Sequence, residues 1–127
     1  MSKHVALWID HKEARIFHIH PDTIDEETVM APSHHLHSKH AKEGPDGKPR
    51  AEDAKRFFNE VARTLDGSQH VLVVGPSTAK LEFLRYVHKH DHGLETQIEG
   101  VETVDHPSDK QLVAYARKYF KSDHTLS

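Results

Sequence analysis

Four histidines crowd one short stretch, His34, His35, His37 and His40, and four cationic side chains, Lys39, Lys42, Lys48 and Arg50, run through and beyond them. Imidazole titrates near pH 6.5, offers a nitrogen to a metal and stacks on nucleobases, so this pattern admits more than one chemistry. Only Glu43 and Asp46 oppose the four cations, which leaves the segment net positive before any histidine is protonated. A basic segment of this kind follows a phosphate backbone, with affinity that falls as salt rises. RNA contact through His34, His35, His37, Lys39, His40, Lys42, Lys48 and Arg50 is one expectation, and a solvated loop with incidental histidines is its plain alternative. The spacing of His35, His37 and His40 also lets three imidazoles converge on Zn²⁺, Ni²⁺ or Cu²⁺. It matches no closed zinc motif, so metal stands as the alternative, and no cofactor is expected otherwise.

Other chemistry finds less support. There are no cysteines, which removes disulfides, thiolate metal sites and a cysteine nucleophile. Asp10 stands where a nuclease would hold one of its metal-binding carboxylates, but the later run Val71–Val74 ends in Gly75 rather than an acid, and Asp10 reads as a hairpin-turn residue. The stretch Gly75-Pro76-Ser77-Thr78-Ala79-Lys80 has one glycine and the wrong lysine spacing for a P-loop; it reads as a strand-to-helix turn with Ser77 or Thr78 as the cap. Serine, histidine and aspartate are present without a nucleophile elbow, so no hydrolase triad is supported. His88, His90 and His92 gather at a helix end, where imidazolium complements the dipole.

These residues need a scaffold, and periodicity outlines one. His4–Ile9 and Ala14–His20 are β-rich runs joined by Asp10-His11-Lys12-Glu13, which predicts a hairpin, with Thr28-Val29-Met30 as a short third strand. From Ala31 to Arg50 neither period holds, and Pro32, Gly44, Pro45, Gly47 and Pro49 interrupt the chain; this predicts a long polar loop. Ala54, Phe57, Phe58, Val61, Ala62 and Leu65 then form a helical stripe closed by Gly67. Val71–Val74 is a short apolar run suited to a central strand covered on both faces. Leu81, Leu84, Tyr86 and Val87 are expected to supply the buried face of the next helix, with Gly93 beyond its end. A strand follows between Leu94 and Val104. Ser108 and Gln111 form a capping box for a last helix striped by Leu112, Tyr115, Ala116, Tyr119 and Phe120.

The order β-β-(β)-α-β-α-β-α predicts one α/β domain over 1–127, ribonuclease-H-like, with a mixed sheet and helices on both faces. The first strand and the Val71 strand should lie side by side at its centre. No apolar run approaches the roughly 20 residues of a membrane span, and no leader is evident, so a cytoplasmic protein without membrane partners is expected. The formal charge of −3 counts all 14 histidines as neutral, so mild acid should turn the chain cationic. Lysine and arginine (17) do not outnumber aspartate and glutamate (20), and DNA is not an expected partner. Oligomeric state is left open, and a ligand-free oligomeric scaffold stands as a further alternative.

Three stretches together resemble the middle domain of the archaeo-eukaryotic peptide-chain release factors and their ribosome-rescue relative Pelota. They are Val5–Phe17, the helix with Arg56-Phe57-Phe58, and Val71–Leu84. In that family a strand ends in Gly-Pro-Gly and the next helix carries a lysine and a phenylalanine; Gly75, Pro76, Lys80 and Phe83 occupy those places, while Ser77 and Thr78 depart from the pattern. The resemblance implies the ribosome or ribosomal RNA as partner, and a role in stalling, rescue or dormancy. Release factors carry Gly-Gly-Gln in the interval matching Ala31–Arg50. Here Gly44 and Gly47 are not adjacent and no glutamine is present, so peptide release by that mechanism is not expected, nor any other enzymatic activity. Pelota lacks the motif as well, so its absence is compatible with ribosome binding.

Overall fold

The computed structural model describes residues 4–31 and 51–122. Five strands and four helices follow in the order β1 (His4–Ile9), β2 (Glu13–Ile19), β3 (Ile24–Met30), α1 (Ala51–Thr64), β4 (His70–Gly75), α2 (Ala79–His90), α3 (His92–Glu95), β5 (Ile98–Thr103) and α4 (Asp109–Ser122). The strands form one mixed sheet in the order β3-β2-β1-β4-β5. β1 pairs antiparallel with β2 and parallel with β4, and β4 pairs parallel with β5.

Alternation along the strands divides the core between the two faces of the sheet. Val5, Leu7, Ile9, Ala14, Ile16, Val71 and Val73 point to the side covered by Phe57, Phe58 and Val61 of α1 and by Phe83 and Val87 of α2. Ala6, Trp8, Phe17, Ile19, Leu72 and Val74 point the other way, under Leu112, Ala116 and Phe120 of α4. All six residues of β1 are buried, as a strand with neighbours on both edges and helices on both faces must be.

Local chemistry agrees with the sequence at several joints. Oδ1 of Asp10 accepts the backbone N–H groups of Lys12 (2.8 Å) and Glu13 (2.9 Å), which closes the β1–β2 turn. Gly67 adopts a φ of 86°, the left-handed conformation that ends the α1 region. At α4 the capping box is reciprocal: the Gln111 N–H donates to Ser108 Oγ (3.1 Å) and the Ser108 N–H donates to Gln111 Oε1 (2.9 Å).

Three expectations need correction. β3 runs from Ile24 rather than Thr28, because pairing with all of β2 from Glu13 to Ile19 overrides the low strand propensity of its acidic residues. The buried residues of α2 are Ala79, Lys80, Phe83 and Val87, with Leu84 and Tyr86 half-buried against the same core as expected, while Leu81 is 49% exposed. Gly93 lies beyond the end of α2, as expected, within a further one-turn helix, α3, whose first turn is capped by Asp91 Oδ1 accepting the Leu94 N–H at 3.1 Å. Thr78 precedes α2 with its backbone already helical (φ −81°, ψ −8°), so its hydroxyl caps no backbone N–H and donates to Glu82 Oε2 instead (3.2 Å).

Candidate functional site

The parallel strands β1, β4 and β5 all end on one side of the sheet, and the connections there converge. Ligands of open α/β sheets gather at such carboxyl ends, where neighbouring strands lead away in different directions. Here β1 turns back into β2 while its neighbour β4 runs on into α2. The Ala31 N–H donates to the Lys12 carbonyl at 2.9 Å, so the chain leaves β3 beside the β1–β2 turn. The Val104 N–H donates to the Gly75 carbonyl (3.1 Å), which brings the β5–α4 connection alongside the β4–α2 turn.

Side chains tie these connections together. His11 Nε2 lies 3.2 Å from Glu82 Oε2, joining the hairpin turn to α2. Trp8 is fully buried and donates its indole N–H to the Asp105 carbonyl at 2.9 Å. The Arg15 guanidinium lies 4.6 Å from the centre of the Trp8 ring and reaches Asp109 Oδ1 at 2.9 Å. Glu26, on the neighbouring strand, hydrogen-bonds Asp109; that bond, then partial desolvation and the Asp109 charge, raise its pKa, while Arg15 pulls it down. His106 Nε2 stands 3.8 Å from Asp10 Oδ2, across the same edge.

The turn after β4 is tighter than its sequence suggested. A Cβ at position 75 would collide with the carbonyl oxygen of Ile9, so only glycine lets β1 and β4 meet there. Lys80 is buried, and its Nζ donates to the Ser77 carbonyl at 2.6 Å, holding the turn from inside. Phe83 is fully buried and packs edge-on against Phe58, ring centres 5.7 Å apart. Three of the residues that carried the resemblance are thus structural: Gly75 by close approach, Lys80 by bridging, Phe83 by packing.

His34, His35, His37, Lys39, His40, Lys42, Lys48 and Arg50, proposed to touch RNA, and the metal set His35, His37 and His40 lie outside the described residues. Among the described residues no three histidine, aspartate or glutamate side chains converge so as to hold a metal. His88 Nδ1 meets Glu95 Oε2 at 2.6 Å, the His90 ring lies against Tyr86 with centres 4.6 Å apart, and His92 begins α3. Sequence reasoning missed the buried role of Lys80 and the Trp8–Arg15–Asp109 cluster. A lysine one residue after an alanine at a helix start carries no signal of burial, and contacts between β2 and α4 join residues far apart in the chain.

No family model and no curated protein sequence matches this chain. Solved structures do. Pelota from Archaeoglobus fulgidus superposes with a TM-score of 0.62 at 17% identity, covering 91% of this chain and 30% of that one. Pelota from Thermoplasma acidophilum gives 0.59 at 23% identity, covering 94% and 31%. An archaeal translation termination factor, aRF1, gives 0.53 at 21% identity, covering 91% and 34%. The chain spans about a third of the length of these proteins. No described helix is long and apolar enough to cross a membrane. With five strands in one mixed sheet and helices on both faces, this chain has the α/β fold of a Pelota- and aRF1-like domain.

Proposed function

We propose that this protein is a non-enzymatic translation-factor-like protein that associates with the ribosome or its RNA in the cytoplasm. The observation that carries the reading is the likeness to Pelota and aRF1 across more than nine-tenths of the chain. Two features support it. The basic, histidine-rich segment connects β3 to α1, and the Ala31 anchor places its start on the side of the sheet where the parallel strands end. The segment has no Gly-Gly-Gln, so the role is contact rather than release of a peptide.

Co-sedimentation with ribosomes over a salt series tests the reading. Wild type should pellet with ribosomes at low salt and dissociate as salt rises, and replacing Lys39, Lys42, Lys48 and Arg50 by alanine should weaken the association and flatten its salt dependence. No association at the lowest salt overturns the proposal. Calorimetric titration with Zn²⁺ or Ni²⁺ addresses the rival use of the same segment. Binding tighter than that of a free histidine-rich peptide, and lost on replacing His35, His37 and His40 by alanine, would favour metal.

A further inference from the structure

The two outer strands of the sheet are built differently, and the difference points to a binding edge. β3 carries acids on both faces: Asp25 and Glu27 lie on the α1/α2 side, opposite His18 and close to His20, and Glu26 lies on the α4 side. Charges on both faces are a common defence of an exposed edge against pairing with another chain. β5 is two-sided instead. Val101, opposite Val73, is 39% exposed on the α1/α2 side, the side on which α2 also leaves Leu81 49% exposed. On the α4 side β5 presents Glu99, which meets His70, and Glu102, which hydrogen-bonds Tyr115. It contains neither lysine nor proline, the usual deterrents to strand addition.

Charge selects the occupant. β5 itself has no lysine or arginine and carries two acids, Glu99 and Glu102. A second copy pairing β5 with β5 would bring this acidic stretch against itself, and a nucleic acid would be repelled by it. We infer that the outer edge of β5 accepts an extended peptide strand in which apolar residues alternate with basic ones. Its backbone would pair with the outer edge, which has no neighbouring strand among the described residues and where the Glu99 carbonyl accepts the Tyr119 hydroxyl at 3.3 Å, its apolar side chains would lie along Val101, and its lysines or arginines would face Glu99 and Glu102. The inference goes beyond ribosome association and does not depend on it.

Labelled peptides alternating valine with lysine, and matched peptides alternating valine with glutamate, test it by fluorescence anisotropy, with hydrogen exchange of the β5 amides as a second readout. The valine–lysine peptide should bind, protect the amides of residues 98–103 and weaken with salt; the valine–glutamate peptide should not bind. Val101→Lys, and separately Glu99→Lys with Glu102→Lys, should each weaken binding about tenfold. These positions are exposed, and an unchanged thermal unfolding curve confirms that each variant is folded. Equal binding of both peptides, protection elsewhere than β5, or a dimer in sedimentation that Val101→Lys abolishes would each overturn the inference.

Discussion

Helices α2 and α4 cover opposite faces of the sheet and begin in opposite ways. α4 starts on a local device, the reciprocal Ser108–Gln111 box, made entirely from residues three apart in sequence. α2 starts on a tertiary one: Thr78 caps no backbone N–H, and the turn is held by the close approach of Gly75 to Ile9 and by the buried ammonium of Lys80 on the Ser77 carbonyl. A local cap is replaceable without disturbing the sheet. A turn wedged between two central strands is not.

Substitutions at the two starts should therefore separate widely. Gly75→Ala drives a methyl into the Ile9 carbonyl and should cost about 2–3 kcal/mol in denaturant unfolding, the largest loss of this set. Lys80→Ala removes a charged hydrogen bond and a buried stem and should cost about 2 kcal/mol, while Lys80→Met, which keeps the stem, should recover part of it. At α4, Ser108→Ala should cost about 1 kcal/mol, with amide exchange increased only in the first turn of the helix. If Ser108→Ala proves costlier than Gly75→Ala, the contrast between a local and a tertiary start fails.

The start of α4 should also respond to pH. Because Glu26 holds its proton more tightly in the folded chain, its bond to Asp109 is favourable in acid and is lost as pH rises from the ordinary glutamate range through the raised folded value. Above that window the two carboxylates oppose each other. Glu26→Gln should then stabilise the fold at neutral pH by a few tenths of a kcal/mol, small because the pair is exposed, and the gain should vanish below about pH 4. Thr78→Ala should likewise change stability little, by under about 0.5 kcal/mol, since its hydroxyl reaches only the exposed side of α2.

The same contrast explains what the sequence made legible. Ser108 and Gln111, the stripe from Ala54 to Leu65 and the apolar run of β4 each encode their structure within one turn or one strand, and each is found as expected. The turn residue Asp10 is equally local. α2 deceived because its inner face is set by what it packs against: Lys80 finds a carbonyl inside and Leu81 is left outside. β3 hid its first half because Asp25, Glu26 and Glu27 owe their strand conformation to β2 and their partners to His18, His20 and Asp109. The resemblance identified the fold through Gly75, Lys80 and Phe83, residues whose work here is architectural. The proposed RNA and metal ligands between Ala31 and Arg50 lie outside the described residues.

The position of β1 bears on how the chain is made. His4 pairs on one side with Ile19 and on the other with His70, so the most central strand precedes the other four in the chain and must wait for a distant partner. The meander β1–β2–β3 can close as soon as it emerges, yet one edge of β1 stays open until β4 follows and the face under α4 stays open longer still, an interval on the order of seconds at ordinary elongation rates. Released fragments that stop before His70 should be cut readily by protease and bind chaperones, and those that include α4 to Ser122 should resist. A slow stretch of codons before β4 would lengthen that vulnerable interval without altering a residue.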